Sequence, residues 1–74
     1  MLRLIVRYGL TRNAAGGIVS RDDELEAIVG FQFAGNSTDL DLLTGECEFN
    51  FYTRAERHAA KLALQAAGFQ VDAK

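Results

Sequence analysis

Seventy-four residues, 49% hydrophobic and 24% charged, with seven Gly, no Pro, no Trp and a net charge of −2, describe an ordinary globular chain rather than a disordered or collagen-like one. That length fits a single domain over residues 1–74, burying roughly 60% of the surface its unfolded chain exposes. The apolar run nearest the N-terminus, residues 4–6, lies between Arg3 and Arg7 and is far too short for a signal-peptide core or a membrane span, so a soluble, cytoplasmic protein with no membrane partner is expected.

Leu2, Leu4, Val6 and Tyr8 alternate with Arg3, Ile5 and Arg7, which predicts a first strand with one apolar and one basic face. Residues 9–17 read as turn or loop, because Asn13 and the Gly16-Gly17 pair tolerate positive φ and break periodicity. Residues 20–34 fit two templates. As a helix, Ser20 is the N-cap, Asp22 and Asp23 sit at the positive end, and Leu25, Ile28, Val29 and Phe33 form a stripe. As a strand, Leu25, Ala27, Val29, Phe31 and Phe33 alternate inward, and Gly30 is not forced into a helix interior, where it costs about 1 kcal/mol against Ala. The strand pattern has the better count and is the preferred reading. Residues 38–43 carry a short strand, or an ordered loop with a helical turn begun at Ser37, and Thr44-Gly45 is a turn in either case.

Residues 46–74 state their architecture most plainly. Cys47, Phe49 and Phe51 share one face at period two, which places the lone cysteine among apolar side chains with no disulfide partner. Thr53 and Glu56 form a capping box that starts a helix. Ala55, Ala59, Leu62, Ala63 and Ala66 recur at helical spacing and form its predicted inward face. Gly68 fits the left-handed position after the helix, so that Phe69 and Leu64 become the contact pair of a Schellman ending, which accounts for Leu64 on the polar side. Residues 68–71 begin a last strand. The fold class is α+β, a two-layer sandwich of an antiparallel sheet with helix 54–67 on one face. Its order is β-β-β-α-β, or the ferredoxin-like βαββαβ if residues 20–34 are helical. The uncovered sheet face carries Arg3, Arg7, Glu46 and Glu48, and predicts cross-strand ion pairs or a partner there.

Chemistry-bearing residues are sparse. His58, the one histidine, lies on the polar arc with Arg54, Lys61 and Gln65, and has no second ligand or orienting carboxylate at a useful spacing. The pairs Asp22-Asp23, Asp39-Asp41 and Glu46-Glu48 lack the calcium-loop pattern. Residues 11–17, with Arg12, lack the ending of a P-loop. No enzyme, metal site or cofactor is expected. Charge, by contrast, is segregated. Residues 1–21 hold Arg3, Arg7, Arg12 and Arg21 with no acid, and residues 22–53 hold only acids. The expected function is therefore that of a small non-enzymatic regulatory or inhibitory protein. It would offer Asp22, Asp23, Glu24, Glu26, Asp39, Asp41, Glu46 and Glu48 to a protein partner with a basic surface, such as a nucleic-acid-processing protein. Opposed charge blocks and an open sheet face also favour a homodimer.

A nucleic-acid contact through Arg12, Arg54, Arg57 and Lys61 ranks second. Residues 44–51 keep the Gly and the last aromatic of the RNP1 pattern of RRM domains, but put Glu46 and Glu48 at both base-stacking positions, where carboxylates repel phosphate. Residues 48–71 resemble the closing strand-helix-strand of SPOR domains, over about a third of the chain, and the resemblance transfers no functional residue.

Overall fold

A computed structural model describes residues 2–30 and 38–73. In chain order the elements are β1 (Leu2–Arg7), α1 (Asp22–Val29), β2 (Thr38–Asp41), β3 (Glu46–Phe51), α2 (Arg54–Ala66) and β4 (Gln70–Ala73). The strands form one antiparallel sheet in the order β2-β3-β1-β4. Leu25 and Val29 of α1 and Ala60 and Leu64 of α2 join Leu4, Val6, Cys47, Phe49 and Phe51 in one core. Both helices therefore cover the same face of the sheet. The class is the two-layer α+β sandwich, and the element order is the ferredoxin-like βαββαβ.

The preferred strand reading of residues 20–34 is thus corrected. Gly30 does not sit inside a helix but ends one: its φ is +72°, and its N–H donates to the Glu26 carbonyl at 2.8 Å. That removes the objection that favoured a strand. Leu25 and Val29, one turn apart, enter the core, while Ala27, which a strand would have turned inward with them, is exposed. Three acids in the first turn favour the helix at its positive end. The cap falls on Arg21, with no side-chain cap bond. Ser20, one residue earlier, accepts the Asp22 N–H at 3.2 Å and donates to Asp22 Oδ1 at 2.9 Å. The readings that involved Phe31, Phe33 and Ser37 lie outside the described residues.

The ends of α2 are as the sequence predicts. Thr53 Oγ1 accepts the Glu56 N–H at 3.2 Å. At the other end Gly68 has φ +95°, the Gly68 N–H reaches the Gln65 carbonyl and the Phe69 N–H reaches the Leu64 carbonyl, each at 3.0 Å, the two bonds of a Schellman ending. Its inward face is not as predicted. Ala60 and Leu64 are buried, whereas Ala55, Ala59, Leu62, Ala63 and Ala66 face solvent, with Leu62 53% exposed. The cause is the C-terminal ending. Phe69 packs against the core, and the Schellman contact turns Leu64 to the same side; one turn earlier, Ala60 supplies only a methyl group, which lets the helix approach the aromatic core closely. Arg57 and Lys61, half-buried at the flanks, can lay their aliphatic stems along this side.

Candidate functional site

The uncovered sheet face proves to be closed by its own charges. In the register of β1 with its neighbours, Ile5 lies opposite Glu48 on one side and Asp72 on the other, and Arg7 opposite Glu46 and Gln70. Arg3 Nε lies 3.2 Å from Glu48 Oε1, Arg7 Nε 3.4 Å from Glu46 Oε1, and Arg7 Nη1 3.3 Å from Asp72 Oδ2. These groups surround Ile5, which is only 4% exposed although it points away from the helices. Each partly exposed pair is worth about 0–1 kcal/mol. Their importance is in what they occupy: Glu46 and Glu48 are paired within the chain, and of the two expectations for this face, the ion pairs are present.

The remaining acids of the predicted surface are dispersed. On α1, Asp22 is half-buried against Ser20, Glu26 is half-buried, and Asp23 and Glu24 are exposed. Glu24 accepts two hydrogen bonds from Arg21, Nε to Oε2 and Nη2 to Oε1, both 2.8 Å. That hydrogen-bonded pair holds the Glu24 carboxyl below its ordinary pKa and raises that of Arg21. The Arg21 guanidinium also stacks over the Phe69 ring, 5.1 Å from its centroid. Asp41 Oδ1 accepts the N–H groups of Leu43 and Thr44, at 2.9 and 3.4 Å, and so braces the β2–β3 turn. Asp39 is placed by its backbone, opposite Cys47. Asp39 apart, these residues occupy a helix in one layer, a turn, and the far face of the sheet. They are contiguous in sequence but do not make one surface.

The basic set divides as well. Arg12 lies in a small hairpin over residues 11–19, where Arg12 and Ile18 form a bridge and Arg12 Nη1 donates to the Gly16 carbonyl at 2.8 Å. The amides of Ala15 and Gly17 both donate to Asn13 Oδ1, at 3.0 and 2.9 Å. The hairpin thus spends these donors on itself, not on an anion. Arg54 and His58 are exposed and Arg57 and Lys61 half-exposed along α2. Among the described residues, none of these four side chains has an ion-pair or hydrogen-bond partner.

One surface was not anticipated by sequence patterning. The Tyr8 N–H donates to the Gly45 carbonyl at 2.7 Å, which pins the segment leaving β1 against the β2–β3 turn. Gly45 has φ +68°, and any side chain there would overlap the Gly9 carbonyl. Around this junction the 11–19 hairpin and the β2–β3 turn stand at one end of the sheet and expose Leu10, Ile18, Leu42 and Leu43, the last 66% exposed. Leu40, beside them in β2 at a register shift, is exposed too. Leu10 falls in a segment read as loop, and Leu40, Leu42 and Leu43 in one read as either a short strand or an ordered loop, where no periodicity assigns a face.

Among the described residues, no group of three or more His, Cys, Asp or Glu is placed to hold a metal, and no helix is long and apolar enough to cross a membrane. Cys47 is fully buried while His58 is exposed, so the two do not meet. Against known proteins the chain matches no family model, and neither the curated proteins nor the solved structures give a significant match.

Proposed function

We propose that this chain is a small non-enzymatic regulatory or inhibitory protein that works by protein–protein contact, through the end of the molecule where the two braced loops stand side by side. The observation that carries this reading is the exposure of Leu10, Ile18, Leu42 and Leu43 on loops held by the Tyr8–Gly45 bond and by the Asn13 and Asp41 side chains. Loops that are already ordered lose little entropy on binding, and burial of exposed apolar side chains there adds a favourable hydrophobic contribution. α1 begins at the same end, so Asp23, beside the Arg21–Glu24 pair, gives the rim an acidic group suited to an apolar pocket with a basic border on a nucleic-acid-processing partner. A tagged chain is expected to retain a specific set of host proteins. The double variant Leu42→Asp/Leu43→Asp should release that set, and Glu48→Lys, farther along β3 on the outward face of the sheet, should keep it. Equal retention by wild type and the Leu42/Leu43 variant would overturn the assignment.

A second reading is favoured by the cations of α2, whose side chains have no ion-pair partner among the described residues. If Arg54, Arg57 and Lys61 contact nucleic-acid phosphates, a labelled oligonucleotide will shift at low salt, with a log–log salt slope of about −2 to −3. No shift at low salt dismisses it.

A further inference from the structure

We propose that the outer surface of the two-helix layer is a self-complementary interface for a second copy of this chain, in which the acidic start of α1 in one copy meets the basic start of α2 in the other. The helices lie with these two starts at opposite ends of the layer. α1 begins near the end of β1 at Arg7, where Arg21 stacks on Phe69. α2 begins just after Phe51, which pairs with Leu2 at the far end of the same strand. Asp23 and Glu24 are exposed at one corner, Glu24 held by Arg21 and Asp23 with no ion-pair partner among the described residues, and Arg54 and His58 are exposed at the opposite one.

Between the corners runs an apolar arc. Ala55, Ala59, Leu62 and Ala66 lie on the side of α2 away from the buried Ala60 and Leu64, and all four face solvent. A small-residue arc alone would call for nothing. Here it is joined by charges that have no ion-pair partner among the described residues. Arg54 and Arg57 stand in the first turn of α2, where cations oppose the helix dipole, and no carboxylate among the described residues pairs with them. The sheet face offers no comparable vacancy for charge, since Arg3, Arg7, Glu46, Glu48 and Asp72 are already paired there. A second copy is the partner that brings acid to base at both corners and apolar arc to apolar arc at the centre in a single two-fold operation, as an isologous interface requires. Two helices, the longer about 20 Å, make a footprint of roughly 20 by 20 Å, about half the area per partner of a standard specific interface, so the dimer is a weak one. Association will accordingly be concentration-dependent and sensitive to salt.

Analytical ultracentrifugation of the full chain at low and high salt tests this. The wild type is expected to dimerise at low salt and to dissociate at high salt. Asp23→Lys/Glu24→Lys and Arg54→Glu/His58→Glu should each weaken the dimer at least about tenfold, and an equimolar mixture of the two variants should restore it, because both corners then pair opposite charges again. Leu62→Asp, at a position exposed in the monomer, should abolish the dimer while the circular-dichroism spectrum stays native. Leu42→Asp/Leu43→Asp should leave it unchanged, which separates this interface from the loop-end surface of the proposed function. A wild type that stays monomeric at all concentrations, failure of the mixed variants to reassociate, or a dimer that survives Leu62→Asp would each overturn the proposal.

Discussion

Leu64→Ala is expected to destabilise the domain by about 2–5 kcal/mol, while Leu62→Ala changes stability by no more than about 0.5 kcal/mol. The two leucines lie two residues apart on the same helix. Leu64 is fully buried in the core with Phe49, Phe51 and Phe69 beside it, whereas Leu62 is half in solvent. Removing the Leu64 side chain leaves a cavity under the last turn of α2 and deprives the Schellman ending of its apolar contact. A domain of this length holds on the order of 4–11 kcal/mol in total, so the loss is a large fraction of it. At about 4–8 °C per kcal/mol for a domain this small, the melting temperature should fall by roughly 10 °C or more. Thermal unfolding of the two variants measures this directly. The reverse ranking would mean that α2 presents its Ala55–Leu62–Ala66 arc to the sheet, and would withdraw the helical-layer interface with it.

Gly45→Ala is expected to cost about 2–5 kcal/mol, against about 1–2 kcal/mol for Gly9→Ala. Both glycines have positive φ, near +70° to +80°, so each alanine incurs the left-handed penalty. They differ in surroundings. A Cβ on Gly9 meets nothing within 4 Å, while one on Gly45 overlaps the Gly9 backbone itself, which cannot move aside as the tip of a flexible side chain could. Relief requires the β2–β3 turn to part from the segment after β1, and the Tyr8–Gly45 hydrogen bond goes with it. Chemical denaturation of the two variants gives the difference in stability. Because the same junction holds the loop end together, the Gly45 variant should also lose partner retention at temperatures where it remains folded. Equal costs at the two glycines would show that the loops are not pinned to each other.

Much of the fold is legible in local chemistry. The alternation of Cys47, Phe49 and Phe51, the Thr53–Glu56 cap, and the Leu64–Gly68–Phe69 ending are short-range patterns whose physics is contained within a few residues. Arg3 and Arg7 facing Glu46 and Glu48 follow from period-two reasoning on two strands, and the ion pairs arise because β1 and β3 are neighbours. Less legible are the features set by how a segment ends or by what lies across from it. Leu25, Val29 and Gly30 suited strand and helix alike; with the acids before it and a left-handed glycine after it, the segment closes as a two-turn helix.

The alanines of α2 show the same limit on its two faces. A methyl group adds so little on burial that a helix rich in Ala has no strongly preferred side until one large residue is anchored. Leu64 is that residue, because Phe69 is carried over the last turn and into the core. The acidic block spreads over both layers for a related reason: residues close in sequence leave a helix on one side of the sheet and a strand's outward positions on the other.

By itself, then, the sequence determines the two-layer class, the ends of α2 and the inward face of β3, since each depends on neighbours in the chain. Tertiary structure alone decides that residues 22–29 are helical, that Leu64 and not Leu62 is inward, that Asp72 joins Glu46 on Arg7, and that four apolar loop residues share one end. Each of these depends on which distant segment is adjacent, a relation that local periodicity does not encode.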